Sequence, residues 1–221
     1  MIAAVEAAEA NPSLDVLAGI FDGLGIDLDL RIRELVAIDG VRPRDDAHAL
    51  CSAYVQRRLE GAGWKVAREV RIESGRYLGW IDLLAFDERS GTLLVIEIKT
   101  RLDDAGAIER SMDWHIREAT RAARRLGWRP RRVAGWLLAM ATEEVEDQLR
   151  ANRVLWTSAF PSRAPELAAA VLDPPSAPLR GFALIDPRSR RHDWLTRARV
   201  DGRRSDAPYR SYADFMARRR R

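Results

Sequence analysis

The chain is poor in several residues that usually announce a function class. It has one cysteine, Cys51, so an intramolecular disulfide framework is excluded. Its three histidines, His48, His115 and His192, are scattered and give no zinc spacing. No apolar run approaches the roughly 20 residues of a membrane span, and no basic-then-apolar signal sequence opens the chain. A cytoplasmic protein with no membrane partner is the expectation. Lysine is also scarce. Of 37 basic residues two are lysines, Lys65 and Lys99, so a compact titratable ammonium stands at two positions in an arginine-rich chain.

What is present suffices for a core. The 221 residues are 47% hydrophobic, which suits one medium domain with appendages. The net charge of +4 is unevenly spread: residues 188–221 carry 12 arginines and 4 aspartates, leaving the first 187 residues net acidic. That segment shows little hydrophobic periodicity. It reads as a flexible basic tail, either merely solvated or binding phosphates without sequence preference.

Periodicity sets the middle of the chain. A helix runs from about Asp45 to Gly61, with Leu50, Tyr54 or Val55, and Leu59 on its buried side. Val66, Val70 and Ile72 alternate with polar residues as a half-buried strand. Gly79–Asp87 and Leu93–Thr100 are apolar runs joined around Arg89-Ser90-Gly91, the pattern of a β-hairpin. A long amphipathic helix follows from about Ala105 to Leu126, with Ile108, Met112, Ile116, Ala119, Ala123 and Leu126 on one face. Arg110, Arg117, Arg121 and Arg124 form a stripe on the other. Val133–Met140 is a strand, Glu143–Asn152 a helix, and Gly181–Ile185 a last strand, with five prolines breaking the stretch between them. The expected class is α/β (α+β): a mixed sheet flanked by helices, with a core order α-β-β-β-α-β.

Strand alternation puts Glu97 and Lys99 on one face of the second hairpin strand, beside Leu93 and Val95, while Asp82 lies on its neighbour. Charges are rarely placed against a hydrophobic sheet without a partner or a metal. An acid followed by acid-x-Lys on adjacent strands resembles the PD-(D/E)xK nuclease superfamily, the restriction endonuclease-like fold of many restriction enzymes and Holliday-junction resolvases. The resemblance implies that Asp82 and Glu97 bind Mg²⁺, with Mn²⁺ as a substitute, and that the Ile98 carbonyl completes the site. Lys99 would position or deprotonate the attacking water. The chemistry suits the residue types, because Mg²⁺ prefers oxygen ligands and keeps several waters.

Many active members of that superfamily carry a further glutamate on the first helix. Counting back from Leu59 and Gly63, its register falls on Ser52. His48, one turn earlier, and Asp104, just after the lysine strand, are auxiliary candidates. Arg110, Arg117, Arg121 and Arg124 are candidates for holding DNA phosphates.

Val5-Glu6, Asn11-Pro12-Ser13-Leu14 and Leu24-Gly25-Ile26 resemble the second half of an Xre (Cro/repressor-type) helix-turn-helix, with the recognition helix around Ile2–Ala7. Asn11 would cap a helix with Pro12 at its first position. The supporting first helices are missing, so this segment should not read bases alone. Asp46-Ala47-His48-Ala49, Gly63-Trp64, Ile81–Leu84, Glu97–Thr100, Gly127-Trp128 and Phe160-Pro161 resemble bacterial proteins that fuse such a module to a PD-(D/E)xK-like domain. The expected organisation is therefore a partial helix-turn-helix over 1–38, a nuclease-like domain over 39–187 and the tail over 188–221. The expected activity is Mg²⁺-dependent DNA endonuclease cleavage. The alternative is a non-catalytic DNA-binding regulator whose nuclease-like domain serves homodimerisation or sensing.

Overall fold

A computed structural model describes residues 14–25, 43–74, 77–199 and 205–219. The chain divides into two compact units, 1–40 and 41–221. In the first, helix α1 spans Leu14–Gly23. The expected recognition helix around Ile2–Ala7 and the Asn11 cap lie outside the described residues.

The second unit is built on a six-stranded mixed sheet in chain order. Helix α2 (Pro43–Gly61) leads into strands β1 (Lys65–Ser74), β2 (Tyr77–Asp87) and β3 (Thr92–Lys99), which pair antiparallel. Helix α3 (Ala105–Arg125) then crosses over to β4 (Arg132–Met140), which lies parallel to β3. Helices α4 (Glu143–Ala151), α5 (Arg153–Ala159) and α6 (Ala164–Leu172) precede β5 (Arg180–Ile185), parallel to β4, and the short antiparallel β6 (Leu195–Thr196). Helix α7 spans Tyr212–Arg219. Among the described residues no helix is long and apolar enough to cross a membrane.

Both faces of the sheet are covered, which explains why β3 is buried from Thr92 to Ile98. On one face Leu94, Ile96 and Ile98 of β3 pack with Ala47, Cys51, Val55 and Leu59 of α2 and with Leu167 and Val171 of α6. On the other, Leu93 and Val95 pack with Ile108, Met112, Ala119 and Ala123 of α3 and with Trp156 and Phe160 around α5. The Trp64 indole N–H donates to the Val171 carbonyl at 2.9 Å and ties the α2–β1 turn to α6.

Three expectations change. Leu50 is exposed, and the buried stripe of α2 runs instead through Ala47, Cys51, Tyr54, Val55 and Leu59. The proline-rich stretch holds two helices. Pro165 lies in the first turn of α6, where its fixed φ suits helix entry and its missing N–H costs no bond, and the Glu166 carboxylate accepts the Arg163 N–H at 2.9 Å. The segment read as a flexible tail over 188–221 is packed over much of its described length. Trp194, Leu195, Tyr209 and Phe215 are buried in the α2-side core. Those four residues are too widely spaced among arginines to give a periodic signal, yet the arginines help to seat them. The Arg188 guanidinium lies 5.0 Å from the Phe215 ring centre and that of Arg218 5.7 Å from the Tyr209 ring centre.

Candidate functional site

The site begins where two strands part. The β2–β3 register runs from Asp87↔Thr92 to Leu83↔Ile96 and stops, while β2 stays paired with β1 up to Ser74↔Tyr77. At this fork β2 also turns over. Leu83 and Ala85 face the α2-side core but Ile81, of the same parity, faces the α3-side core. Between Arg68↔Leu83 and Val70↔Ile81 the β1–β2 ladder skips Glu69 and Asp82, and Glu69 adopts φ +49°, a conformation rare outside glycine. Asp82 is therefore the residue at the crotch of the fork.

Its carboxylate replaces the missing ladder. Asp82 Oδ2 accepts the Ile98 N–H at 2.7 Å. The N–H and C=O of one strand residue point to the same edge, so the Ile98 carbonyl is also aimed into the fork, where the register supplies no β2 partner. The same Asp82 oxygen lies 3.3 Å from His48 Nε2 of α2. Burial pushes the Asp82 carboxyl up, but the His48 hydrogen bond, the Lys99 charge and the Ile98 N–H outweigh it and hold the group below the ordinary aspartate value. Burial likewise pushes His48 down, and the Asp82 hydrogen bond and charge overcome this, so His48 stands above its usual value and favours the cation.

Glu97 enters from the α3 side and is 2% exposed. Its Oε2 accepts from Lys99 Nζ at 3.1 Å and its Oε1 from His115 Nδ1–H. Burial acts against the Lys99 ammonium, but Glu97 and then Asp82 more than compensate and raise its pKa above the usual lysine value. Lys99 is thus a held cation between two carboxylates. Asp82, Glu97 and Lys99 come together as the spacing predicts, and His48 joins them.

Asp104 does not. It caps α3, its carboxylate accepting the Ala107 N–H at 2.8 Å. Arg110, Arg117, Arg121 and Arg124 are exposed, on the side of α3 turned away from Met112, His115 and Ala119. Arg117, Arg121, Arg124 and Arg125 line a shallow surface depression with Glu118 and Thr120, and Arg121 lies 3.7 Å from Glu118. The stripe is a basic surface on the back of the helix that covers Glu97. Ser52 is buried on α2 and supplies no further carboxylate.

His115 is the site residue that sequence reasoning missed. The signal existed: it falls in helical register with Ile108, Met112 and Ala119, so a polar ring sits on an otherwise apolar face. Among the described residues no three His, Cys, Asp or Glu side chains gather as a cation cage. In comparisons of the sequence with protein families and with curated proteins, nothing matched.

Proposed function

We propose that this chain is a metal-dependent DNA endonuclease of the PD-(D/E)xK type, with a restriction endonuclease-like core, that hydrolyses phosphodiester bonds. The observation that carries the reading is the convergence of Asp82, Glu97 and Lys99 at the fork between β2 and β3, with the Ile98 carbonyl aimed into the same space. The order α2-β1-β2-β3-α3-β4 agrees with it. The donor set fits a small hard cation: carboxylate and carbonyl oxygens, with Asp82 Oδ1 outside both bonds that occupy Oδ2.

Asp82, Glu97 and the Ile98 carbonyl would hold Mg²⁺ or Mn²⁺, whose chemistry there is to acidify a bound water and offset charge on the phosphate. The chain's own residues do the rest. Lys99, with its pKa raised, is a proton-bearing cation at neutral pH, so it orients the attacking water and steadies phosphate charge rather than removing a proton. The Lys99 contact to Glu97 Oε2 must open for that oxygen to serve as a ligand, which the partly exposed lysine side chain permits. His48 holds Asp82 in place and, when protonated, brings a second positive charge to the fork.

The test is supercoiled-plasmid cleavage by wild type and Lys99→Met with Mg²⁺, Mn²⁺ and EDTA. Metal-dependent nicking by wild type, reduced at least about 100-fold in the variant, is the expected result, on the scale of losing a charge-stabilising donor. Folded wild type that leaves duplex, single-stranded and branched DNA intact overturns the reading. A non-catalytic DNA-binding regulator is then the better account. One observation favours that second reading: the arginine stripe on α3 faces away from the fork, so it can engage DNA independently of Asp82 and Glu97.

A further inference from the structure

Three consecutive residues of α3 settle onto three adjacent strands. Trp114 lies over Gly79 of β2, His115 meets Glu97 of β3, and Ile116 lies over Gly135 of β4. A Cβ built at Gly79 would come 2.4 Å from Trp114 Cζ3, and one at Gly135 would come 2.5 Å from Ile116 Cδ1. Both strands flanking β3 therefore have a notch where the helix descends. These notches let the helix lie close enough to the sheet for the His115 ring to meet Glu97.

The ring is fixed at both nitrogens. Nδ1–H donates to Glu97 Oε1, which in the neutral imidazole leaves Nε2 to accept from Ser111 Oγ–H, 3.5 Å away and one turn earlier. His115 is buried, and Trp114 closes over it with ring centres 5.4 Å apart. The order carboxylate, imidazole, hydroxyl is that of an acyl-transfer triad. Here the hydroxyl sits in mid-helix, where neighbouring N–H groups are spent on the helix, so no donor pair is left to stabilise an oxyanion. The geometry serves orientation instead.

We propose that His115 is the positioning residue of Glu97: it pins Oε1 so that Oε2 is presented toward Lys99 and the fork. The proposal rests on the reading of the fork as a metal-dependent phosphodiesterase site. Hydrogen-bond partners of ligating carboxylates change metal affinity or activity by about 10- to 100-fold when removed. The pinned oxygen also explains how a carboxylate so deeply buried keeps one orientation before any cation arrives.

The experiment measures Mn²⁺ binding, from loss of the free-ion EPR signal, together with plasmid nicking, for wild type, His115→Leu and His115→Asn. Leucine keeps the bulk of the ring and cannot donate; the asparagine amide can. His115→Leu should weaken Mn²⁺ binding about 10- to 100-fold, and His115→Asn should restore it to within about threefold, a rescue that mere filling of space would not produce. Both variants are checked for wild-type thermal unfolding. Wild type that binds Mn²⁺ while His115→Leu binds equally well overturns the positioning role and leaves the nuclease reading standing. Wild type that takes up no Mn²⁺ overturns both.

Discussion

Gly135→Ala tests the closeness of helix and sheet without touching any charged group. The added methyl would lie 2.5 Å from Ile116 Cδ1, 3.2 Å from Ile116 Cγ1 and 3.2 Å from Met112 Sδ. Contacts that short must be relieved by lifting α3 or twisting Ile116 from its rotamer, and overpacking of this kind costs about 1–3 kcal/mol. Replacing glycine in a strand returns about 0.5–1 kcal/mol through the unfolded chain. The net expectation is a loss of roughly 0–2.5 kcal/mol, read from the urea midpoint at unchanged slope. Ile116→Val removes the offending Cδ1. Alone it should cost about 0.5–1.5 kcal/mol, but in the Gly135→Ala background it should regain stability, a coupling of about 1 kcal/mol or more between the two sites. Strictly additive effects of the two substitutions would refute the notch.

Two further perturbations probe other layers. His48→Gln keeps a donor near Asp82, because its amide reaches the position of Nε2, but removes the titrating ring. Because the folded pKa of His48 lies above its unfolded value of 6.5, its ion pair stabilises fully below that value and is lost as pH rises through the folded one. The stability difference between wild type and variant should therefore shrink as pH rises from below 6.5 through the folded value; a difference that grows over that range contradicts the pairing. Phe215→Ala, in the segment that composition marks as a solvated tail, removes a fully buried ring set edge-on to Tyr209 at 5.0 Å. It should destabilise the second unit by about 3–5 kcal/mol, and a change within about 0.5 kcal/mol would mean that the ring is not part of the core.

The parts of the fold that could be read in the sequence are those whose burial is continuous. The hairpin of β2 and β3 is two nearly unbroken apolar runs, and the bounds of α3 fall within a residue of the expected Ala105–Leu126 because Ile108, Met112, Ala119 and Ala123 repeat along its buried face, although Leu126 itself is exposed. Asp82, Glu97 and Lys99 were legible for the same reason, as charges set in apolar strands. The fork was not legible, since the parting of β2 from β3 is a matter of register and leaves no mark on composition. His115 stayed hidden because its partner is 18 residues away and the pairing depends on helix height, which Gly79 and Gly135 set. Helix α6 was masked by Pro165, which starts the helix rather than breaking it, and α5 by its shortness ahead of Pro161. The C-terminal segment was masked by arginines, whose side chains pack on aromatic rings while their charge reads as solvation.

Asp82 is held from the α2 side and Glu97 from the α3 side, so neither layer alone assembles the fork. The contacts that shape it join residues far apart in the chain: His48 with Asp82, Asp82 with Ile98, and Glu97 with His115. A chain with its sheet formed but either helix undocked would keep its strands and lose the arrangement of charges. The site is therefore complete only when both helices are docked on the sheet. Its integrity reports on the docking of both helices, and a probe at Glu97 should register the departure of α3 while circular dichroism still reads as native.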